Sequence, residues 1–506
     1  MGFQSIVAAL ALLAPLAARA DWHEASTRHF VVYSQDKPER LRDYAANLER
    51  FDMAVRKTRG WTDDPVGKAG RVTVYVLPSR GAIRTLSGSQ NVAGFYIPRA
   101  GGSVAFVPRT SGAGMETDLD AQAILLHEYT HHLTWSVSSH GVLPSWFVEG
   151  FAELYATTEF TEDGAVVIGR PPQYRARTLM HGNALPVARM LTADTRKLGP
   201  EERSGLYARG WLLLHYLQVS GQRKGQLAAY IDALNAGKSS QEAAAAFGDL
   251  TALDRELERY KLTKFPAYSI ASPDFAKVEV TLRDLTPGEA ATMEVRIRSK
   301  RGRDQVHVFA DAQKAAAPYP ADARAQETLA EAAYYARDPS AAQAAADRAI
   351  AADPELADAY LYKAMARMAL ARAAKDRSPA TWLEIRKIAT RANKLDPDDP
   401  RALILYFRSF TEAGEAPTPL ARQGLKHAFE LAPFDSALRL NTARVYLHEG
   451  DKETARTILA PLVYNPHGGA IAERAAQLIA LIDAGNAKAA EEAIGGEEDK
   501  GAPDGA

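Results

Sequence analysis

The chain contains no cysteine. That absence removes disulfide staples, thiolate nucleophiles, cysteine-ligated zinc fingers and iron–sulfur clusters from consideration. Net charge is nearly absent as well. The 61 Lys and Arg against 62 Asp and Glu give −1, which argues against nucleic acid or an anionic membrane as a partner held by bulk charge. Long apolar runs are scarce. One run, Ile6 to Ala18, is interrupted by Pro15 and is too short to cross a bilayer comfortably. No Ser/His/Asp order, phosphate-binding loop or dinucleotide fingerprint is present. Gly101-Gly102 and Gly112-Ala113-Gly114 lack the strand-to-helix context that phosphate binding requires.

What is present is ordinary globular material, 46% hydrophobic and 24% charged over 506 residues, enough for about three domains at roughly 150 residues each. Ala18-Arg19-Ala20 forms a small-residue cleavage site before Asp21-Trp22. Residues 1–20 therefore read as a signal peptide and the protein as exported, periplasmic or secreted. The leading Met1–Ser5 carries no Lys or Arg, which leaves a buried N-terminal helix as the alternative. No integral membrane span is expected after cleavage.

Residues 21 to about 110 alternate between strand and helix signals. His29–Tyr33 and Arg71–Leu77 are β-branched and aromatic, Pro38–Arg59 has helical spacing, and Gly94–Ile97 with Ser103–Val107 flank a Gly-Gly turn as a hairpin. From Asp118 the pattern is helical to about Trp135. A second helix starts near Pro144-Ser145 and ends near Thr157, and two or three more follow between Glu201 and Lys261. Strand signals return at Val278–Leu282, Met293–Ile297 and Val306–Phe309. The C-terminal part is repetitive. Pro320, Pro354, Pro397, Pro433 and Pro466 are spaced by 34, 43, 36 and 33 residues, and a period near 34 with a closing proline is the tetratricopeptide signature. Counting back from those prolines places Ala330, Ala342, Ala349, Ala421 and Ala428 at the small packing positions, with Lys375–Pro379 as the insertion behind the long spacing.

The chemistry concentrates in His127-Glu128-Tyr129-Thr130-His131. Four residues advance an α-helix by about 400°, so both imidazoles share one face and can share one metal ion. Glu128 lies to the side, within reach of a metal-bound water. The next helix carries Trp146-Phe147-Val148-Glu149-Gly150-Phe151-Ala152-Glu153. An antiparallel return presents Glu149 as third ligand, giving a His₂Glu set that leaves the fourth zinc position for water. Glu153, one turn on, is placed to accept the spare N–H of His127. The corresponding bland readings are surface histidines on an amphipathic helix and glutamates facing solvent. His132 and His140 read as a helix-face and a loop residue, and His215, within Leu212–Tyr216, as buried structure; His181 and His215 are also weighed as oxyanion donors.

These residues resemble the gluzincin metallopeptidases. His127-Glu128-x-x-His131 followed by Glu149-Gly150-Phe151-Ala152 is similar to the "N-E-G-F-A" segment of the zinc aminopeptidase branch, with Val148 for Asn and a gap about one residue shorter. Tyr207-Ala208-Arg209-Gly210 is similar to that family's Y-x-K-G segment, and the resemblance implies that the Tyr207 hydroxyl steadies an oxyanion. Gly114-Met115-Glu116 lies too near His127 to serve as the branch's G-x-M-E-N strand, and Ser103–Val107, at the right distance, has no acidic residue. Internal cleavage, or binding of substrate by β-addition to that edge, is thus favoured over aminopeptidase activity.

The resulting expectation is an α+β zincin-like metallopeptidase domain followed by an all-α tetratricopeptide solenoid. The domains run 1–20 signal peptide, 21–264 metallopeptidase, 265–312 a small β-rich connecting element, 313–483 about four repeats, and 484–506 a disordered tail. The expected function is peptide-bond hydrolysis by a water activated on one Zn²⁺ per chain. His127, His131 and Glu149 hold the metal, Glu128 is general base, Tyr207 stabilises the oxyanion, and Glu153 orients His127. Partners are a peptide or protein substrate and a protein docked on the repeats. The alternatives are an envelope scaffold whose zinc domain is non-catalytic, and a hydrolase of a non-peptide amide such as a cell-wall component.

Overall fold

A computed structural model describes residues 22–90, 92–109, 121–182, 185–192, 197–465 and 468–498. The expected signal peptide, the expected helix start at Asp118–Asp120, the Gly112–Glu116 segment and Pro466 lie outside the described residues.

A six-stranded mixed sheet opens the chain. Its strands are β1 (His23–Ser26), β2 (Phe30–Ser34), β3 (Val72–Leu77), β4 (Phe95–Ile97), β5 (Val104–Pro108) and β9 (Thr281–Asp284), in the order β4-β5-β3-β2-β1-β9. β2, β3 and β5 run parallel, while β4, β1 and β9 pair antiparallel at the flanks. β2 and β5 are buried at every position and β3 at all but one, as parallel strands covered on both faces require. Phe30, Val32, Val72, Val74, Ala105 and Val107 pack with α1 (Pro38–Arg59) and with α3 (Ala121–Val137) in one core. The alternate residues Val31, Tyr33, Tyr75, Val104 and Phe106 point to the other face.

Helix α2 (Arg80–Ser87) connects β3 to β4. After α3 come α4 (Ser145–Ala156), α5 (Ala176–His181), α6 (Val187–Thr192), α7 (Pro200–Leu214), α8 (Gln226–Asn235), α9 (Ser240–Ala244) and α10 (Leu250–Tyr260). A second antiparallel sheet joins β6 (Glu159–Phe160), β7 (Val166–Ile168) and β8 (Tyr268–Ile270).

From Pro287 the chain is entirely helical hairpins: α11 (Pro287–Arg301) with α12 (Gln305–Ala316), α13 (Ala323–Tyr335) with α14 (Pro339–Ala352), α15 (Ala357–Ala373) with α16 (Pro379–Leu395), α17 (Pro400–Ala413) with α18 (Pro419–Leu431), α19 (Ser436–His448) with α20 (Lys452–Val463), and α21 (Gly469–Asp483) with α22 (Ala487–Glu498). Asp322, Asp338, Asp399, Asp435 and Asp451 cap first-turn N–H groups. Ala330, Ala342, Ala349, Ala421 and Ala428 are fully buried at 0% exposure.

Several expectations are corrected here. Met293–Ile297 and Val306–Phe309 are helices, not strands. The alternation of Met293, Val295 and Ile297 imitates a strand period, but Thr286 accepts the N–H of Glu289 at 3.2 Å, Pro287 occupies the first turn, and Gly302 closes the helix at φ +78°. The 43-residue proline spacing reflects two 17-residue helices, α15 and α16, with Lys375–Pro379 their turn. Residues 487–498 form α22, with Ala490 and Ile494 buried. The fold class is corrected too. The chain is predominantly helical, with α1 to α22 running its length, and it does not divide into an α+β zincin-like domain followed by a separate solenoid. Met293 and Ile297 of α11 complete the core on the second face of the sheet, against Tyr33, Tyr75 and Phe106. Further along the array, Asp435 accepts from the Ala100 N–H at 2.9 Å, Arg439 donates to the Ser139 carbonyl at 2.7 Å, and the Ser145 hydroxyl donates to the Tyr464 carbonyl at 2.8 Å. No helix among the described residues is long and apolar enough to cross a membrane.

Candidate metal centre

Helix α3 is apolar on the side that meets the sheet, where Leu125, Leu126, Tyr129 and Leu133 are buried. That anchoring turns His127 and His131 the other way. Their Nε2 atoms lie 3.1 Å apart, and each is 3.5 Å from Oε2 of Glu149 on α4. Glu149 is fully buried at 0% exposure. The connection between α3 and α4 is held from outside by Arg439 on Ser139, and His132, facing away from the site, shares a 2.7 Å hydrogen bond with the Tyr96 hydroxyl and packs on Phe434 at 4.5 Å between ring centroids.

Tetrahedral coordination with bonds of about 2.0–2.1 Å places donor atoms about 3.3–3.4 Å apart. The triangle of 3.1, 3.5 and 3.5 Å matches that spacing, so these two nitrogens and one oxygen fit a small divalent cation with a position to spare. The electrostatics agree. Burial disfavours a charged His127, yet its hydrogen bond to Glu149 and the nearby carboxylates of Glu153, Glu149 and Glu128 outweigh this and push it up to about 9. The cluster calls for positive charge.

Helix α7 crosses α4 where Gly150 and Gly210 meet. A Cβ on Gly150 would lie 2.4 Å from the Gly210 carbonyl carbon, and one on Gly210 would lie 2.6 Å from the Trp146 carbonyl oxygen. The close crossing brings Tyr207, one turn earlier, to the metal triad. Its ring lies near-parallel to that of His127, 6.2 Å between centroids. Burial raises the Tyr207 phenol above its usual range, and the charge and hydrogen bonding of Glu149 add to this. Arg209 is buried and paired with Asp254 at 2.5 Å and Glu258 at 2.6 Å, which fixes α7 to α10.

Glu153 is differently engaged than expected. Its Oε1 is 3.8 Å from Nδ1 of His127, longer than a hydrogen bond, and receives Arg175 at 2.7 and 3.1 Å; its Oε2 receives the Tyr174 hydroxyl at 2.8 Å. Arg175 also lies over the Tyr207 ring at 4.8 Å. Tyr174 and Arg175 were not legible as site residues, because a short 3-10 turn at Gln173–Arg175 delivers them with no motif of its own. Glu128 opens onto a cavity of about 910 Å³ that is also lined by His127, Tyr174, Arg175 and Tyr207. Of the other histidines, His215 is buried between the Tyr260 hydroxyl at 2.8 Å and the Gly169 and Pro266 carbonyls at 3.0 Å, and burial pulls it down to about 4. His181 is exposed at the end of α5. A second grouping, His29 with Asp52 and Asp63, is tied up internally: His29 bonds Glu49 at 2.7 Å, and Asp52 takes Arg56 and the Tyr129 hydroxyl, each at 2.7 Å.

No family model and no curated protein matches the chain. Among solved structures, it is similar to a thermophilic tetratricopeptide-repeat protein of Thermus thermophilus, with 20% identity over 37% of this chain and 97% of that one, at a TM-score of 0.33. It is also similar to yeast Tom70, with 12% identity over 68% of this chain and 70% of that one, at a TM-score of 0.26. The gluzincin metallopeptidase resemblance is corrected here: the solved structures found are tetratricopeptide-repeat proteins. Three short segments had carried that resemblance, and their spacing is a local property of helix pairs that different folds can supply. At these TM-scores the two structures say nothing of this chain's activity. What the chain's own elements establish is an array of successive helical hairpins from Pro287 to Glu498.

Proposed function

We propose that the protein is a repeat-array scaffold bearing a divalent-metal centre that hydrolyses peptide bonds. The observation that carries this reading is the triangle of His127 Nε2, His131 Nε2 and Glu149 Oε2 at 3.1–3.5 Å beside an open cavity. Zn²⁺ suits a two-nitrogen, one-carboxylate set, and when bound it supplies Lewis acidity to a water and a carbonyl. Glu128 takes the proton of the attacking water and delivers it to the leaving amine. Tyr207 donates its hydroxyl hydrogen to the carbonyl oxygen as charge develops there, a kind of contribution worth about 3 kcal/mol elsewhere. Glu153, clamped by Arg175 and Tyr174, sets the field on the Nδ1 side of His127. The array docks a protein partner.

Glu128→Gln tests the assignment. The variant is expected to keep one zinc per chain by metal analysis and to lose digestion of casein, and retained digestion overturns the role of Glu128. A second reading, a scaffold with a non-catalytic metal site, is favoured by the share of the chain given to hairpins, from Pro287 to Glu498. It predicts one bound zinc with no hydrolysis by the unmodified protein.

A further inference from the structure

The cavity beside the metal centre has a marked sign of charge. Among the described residues four arginines line it, Arg80, Arg84, Arg175 and Arg203, against two glutamates, Glu128 and Glu153. Arg175 and Glu153 neutralise each other at 2.7 Å. Arg80 and Arg84 stand one turn apart on α2 and form one wall. Arg203 lines it from a different helix, one turn before Tyr207 on α7. Among the described residues neither Arg84 nor Arg203 pairs with a carboxylate. Both are exposed, and Arg203 donates to the Leu198 carbonyl at 3.2 Å. The chain as a whole is near neutrality at −1, so this concentration is local rather than a reflection of a basic protein.

We infer that the cleft selects an acidic peptide segment, with Arg84 and Arg203 reading Asp or Glu side chains that flank the scissile bond on either side. This rests on the hydrolase reading above and names its substrate class. Guanidinium groups pair carboxylates bidentately, and a cleft lined by one sign of charge concentrates the opposite sign within it. The arginines are delivered by two separate helices, α2 and α7, so both can engage one bound chain. Arg203 is a helical turn from the oxyanion residue Tyr207, so an acidic side chain held there would lie close to the reacting carbonyl.

The test separates selection from catalysis. Full-length Glu128→Gln protein, zinc-loaded and unable to turn over, is titrated by fluorescence anisotropy with three labelled peptides differing only in flanking residues: Asp/Glu, Ser/Gln or Lys. The acidic peptide is expected to bind at least tenfold tighter than the neutral one, with a preference that weakens as salt is raised. The added pair Arg84→Glu and Arg203→Glu is expected to abolish that preference, with thermal melting and zinc stoichiometry showing that the fold and the metal site persist. Equal binding of acidic and neutral peptides overturns the inference, as does a preference that survives the double reversal, or stronger binding of a phosphorylated polymer than of the acidic peptide. Failure of the hydrolase reading would show separately, as unmodified protein that binds acidic peptide and cleaves none.

Discussion

The crossing of α4 and α7 decides whether Tyr207 reaches the metal triad, and Gly150→Ala measures it. An added Cβ would meet three backbone atoms of Gly210, at 2.4, 2.6 and 3.0 Å. Backbone cannot rotate out of the way, so the helices must part by about 1 Å to restore ordinary contact near 3.4–3.5 Å. Overpacking of that kind costs about 1–3 kcal/mol. Intrinsic helix propensity acts the other way, since Ala is favoured over Gly in a helix interior by about 1 kcal/mol. The sign of the stability change is therefore diagnostic. A tight crossing gives a lowered Tm, and a loose one a raised Tm. The proposed metal ligands sit on α3 and α4, whereas Tyr207 sits on α7. Zinc stoichiometry should hold while kcat falls by about 10²-fold, the scale of a 1 Å misplacement at a reacting centre. Gly210→Ala, whose Cβ would meet the Trp146 carbonyl oxygen at 2.6 Å, should behave alike. Unchanged or raised Tm with undiminished turnover in both variants would refute the claim that the glycines position Tyr207.

Two further outcomes follow from burial. Burial pulls His132 down to about 3, below its unfolded value of about 6.5, so the unfolded chain takes up a proton that the folded chain refuses; stability is whole above about pH 6.5 and falls by about 1.4 kcal/mol for each unit below it until about pH 3. Urea titrations from pH 7 to 5 should show this slope, and His132→Phe should reduce it. Ile297→Ala, which empties a position on α11 with 5% exposure, should cost about 2–5 kcal/mol and lower one shared melting transition, whereas two separate transitions, only one of them shifted, would contradict the common core of sheet and array.

The elements readable from sequence are those whose signals are local. Pro38 to Arg59 has the spacing of α1 together with its proline at the start and Gly60 at the end. The two helices bearing His127, His131 and Glu149 follow from a four-residue interval and a return turn. The unread features depend on partners distant in the chain. Met293 and Ile297, one turn apart, face the sheet of Tyr33 and Tyr75, while Val295 faces the array with Val308 and Ala312, so a helix buried on two sides imitates a strand's alternation; the true helix signal is in Thr286-Pro287-x-Glu289. Ala490 and Ile494 are sparse apolar residues that become meaningful only beside α19 and α21. The clamp of Arg175 and Tyr174 on Glu153 links residues more than twenty positions apart through a turn with no periodicity. Gly150 and Gly210 stood inside recognisable segments, but the reason for two glycines there is a helix contact that only three dimensions disclose.

Because α11 closes the outer side of the sheet, synthesis of the protein has a vulnerable interval. Until the ribosome has released Pro287 to Arg301, the aromatic row Tyr33, Tyr75 and Phe106, stacked at 5.5 Å intervals, lacks the cover of Met293 and Ile297 and has only α2 beside it. A nascent chain of that length carries a sticky ribbon that invites chaperones or misassociation. Cutting the gene ahead of α11 to isolate the segment bearing His127, His131 and Glu149 would make that interval permanent.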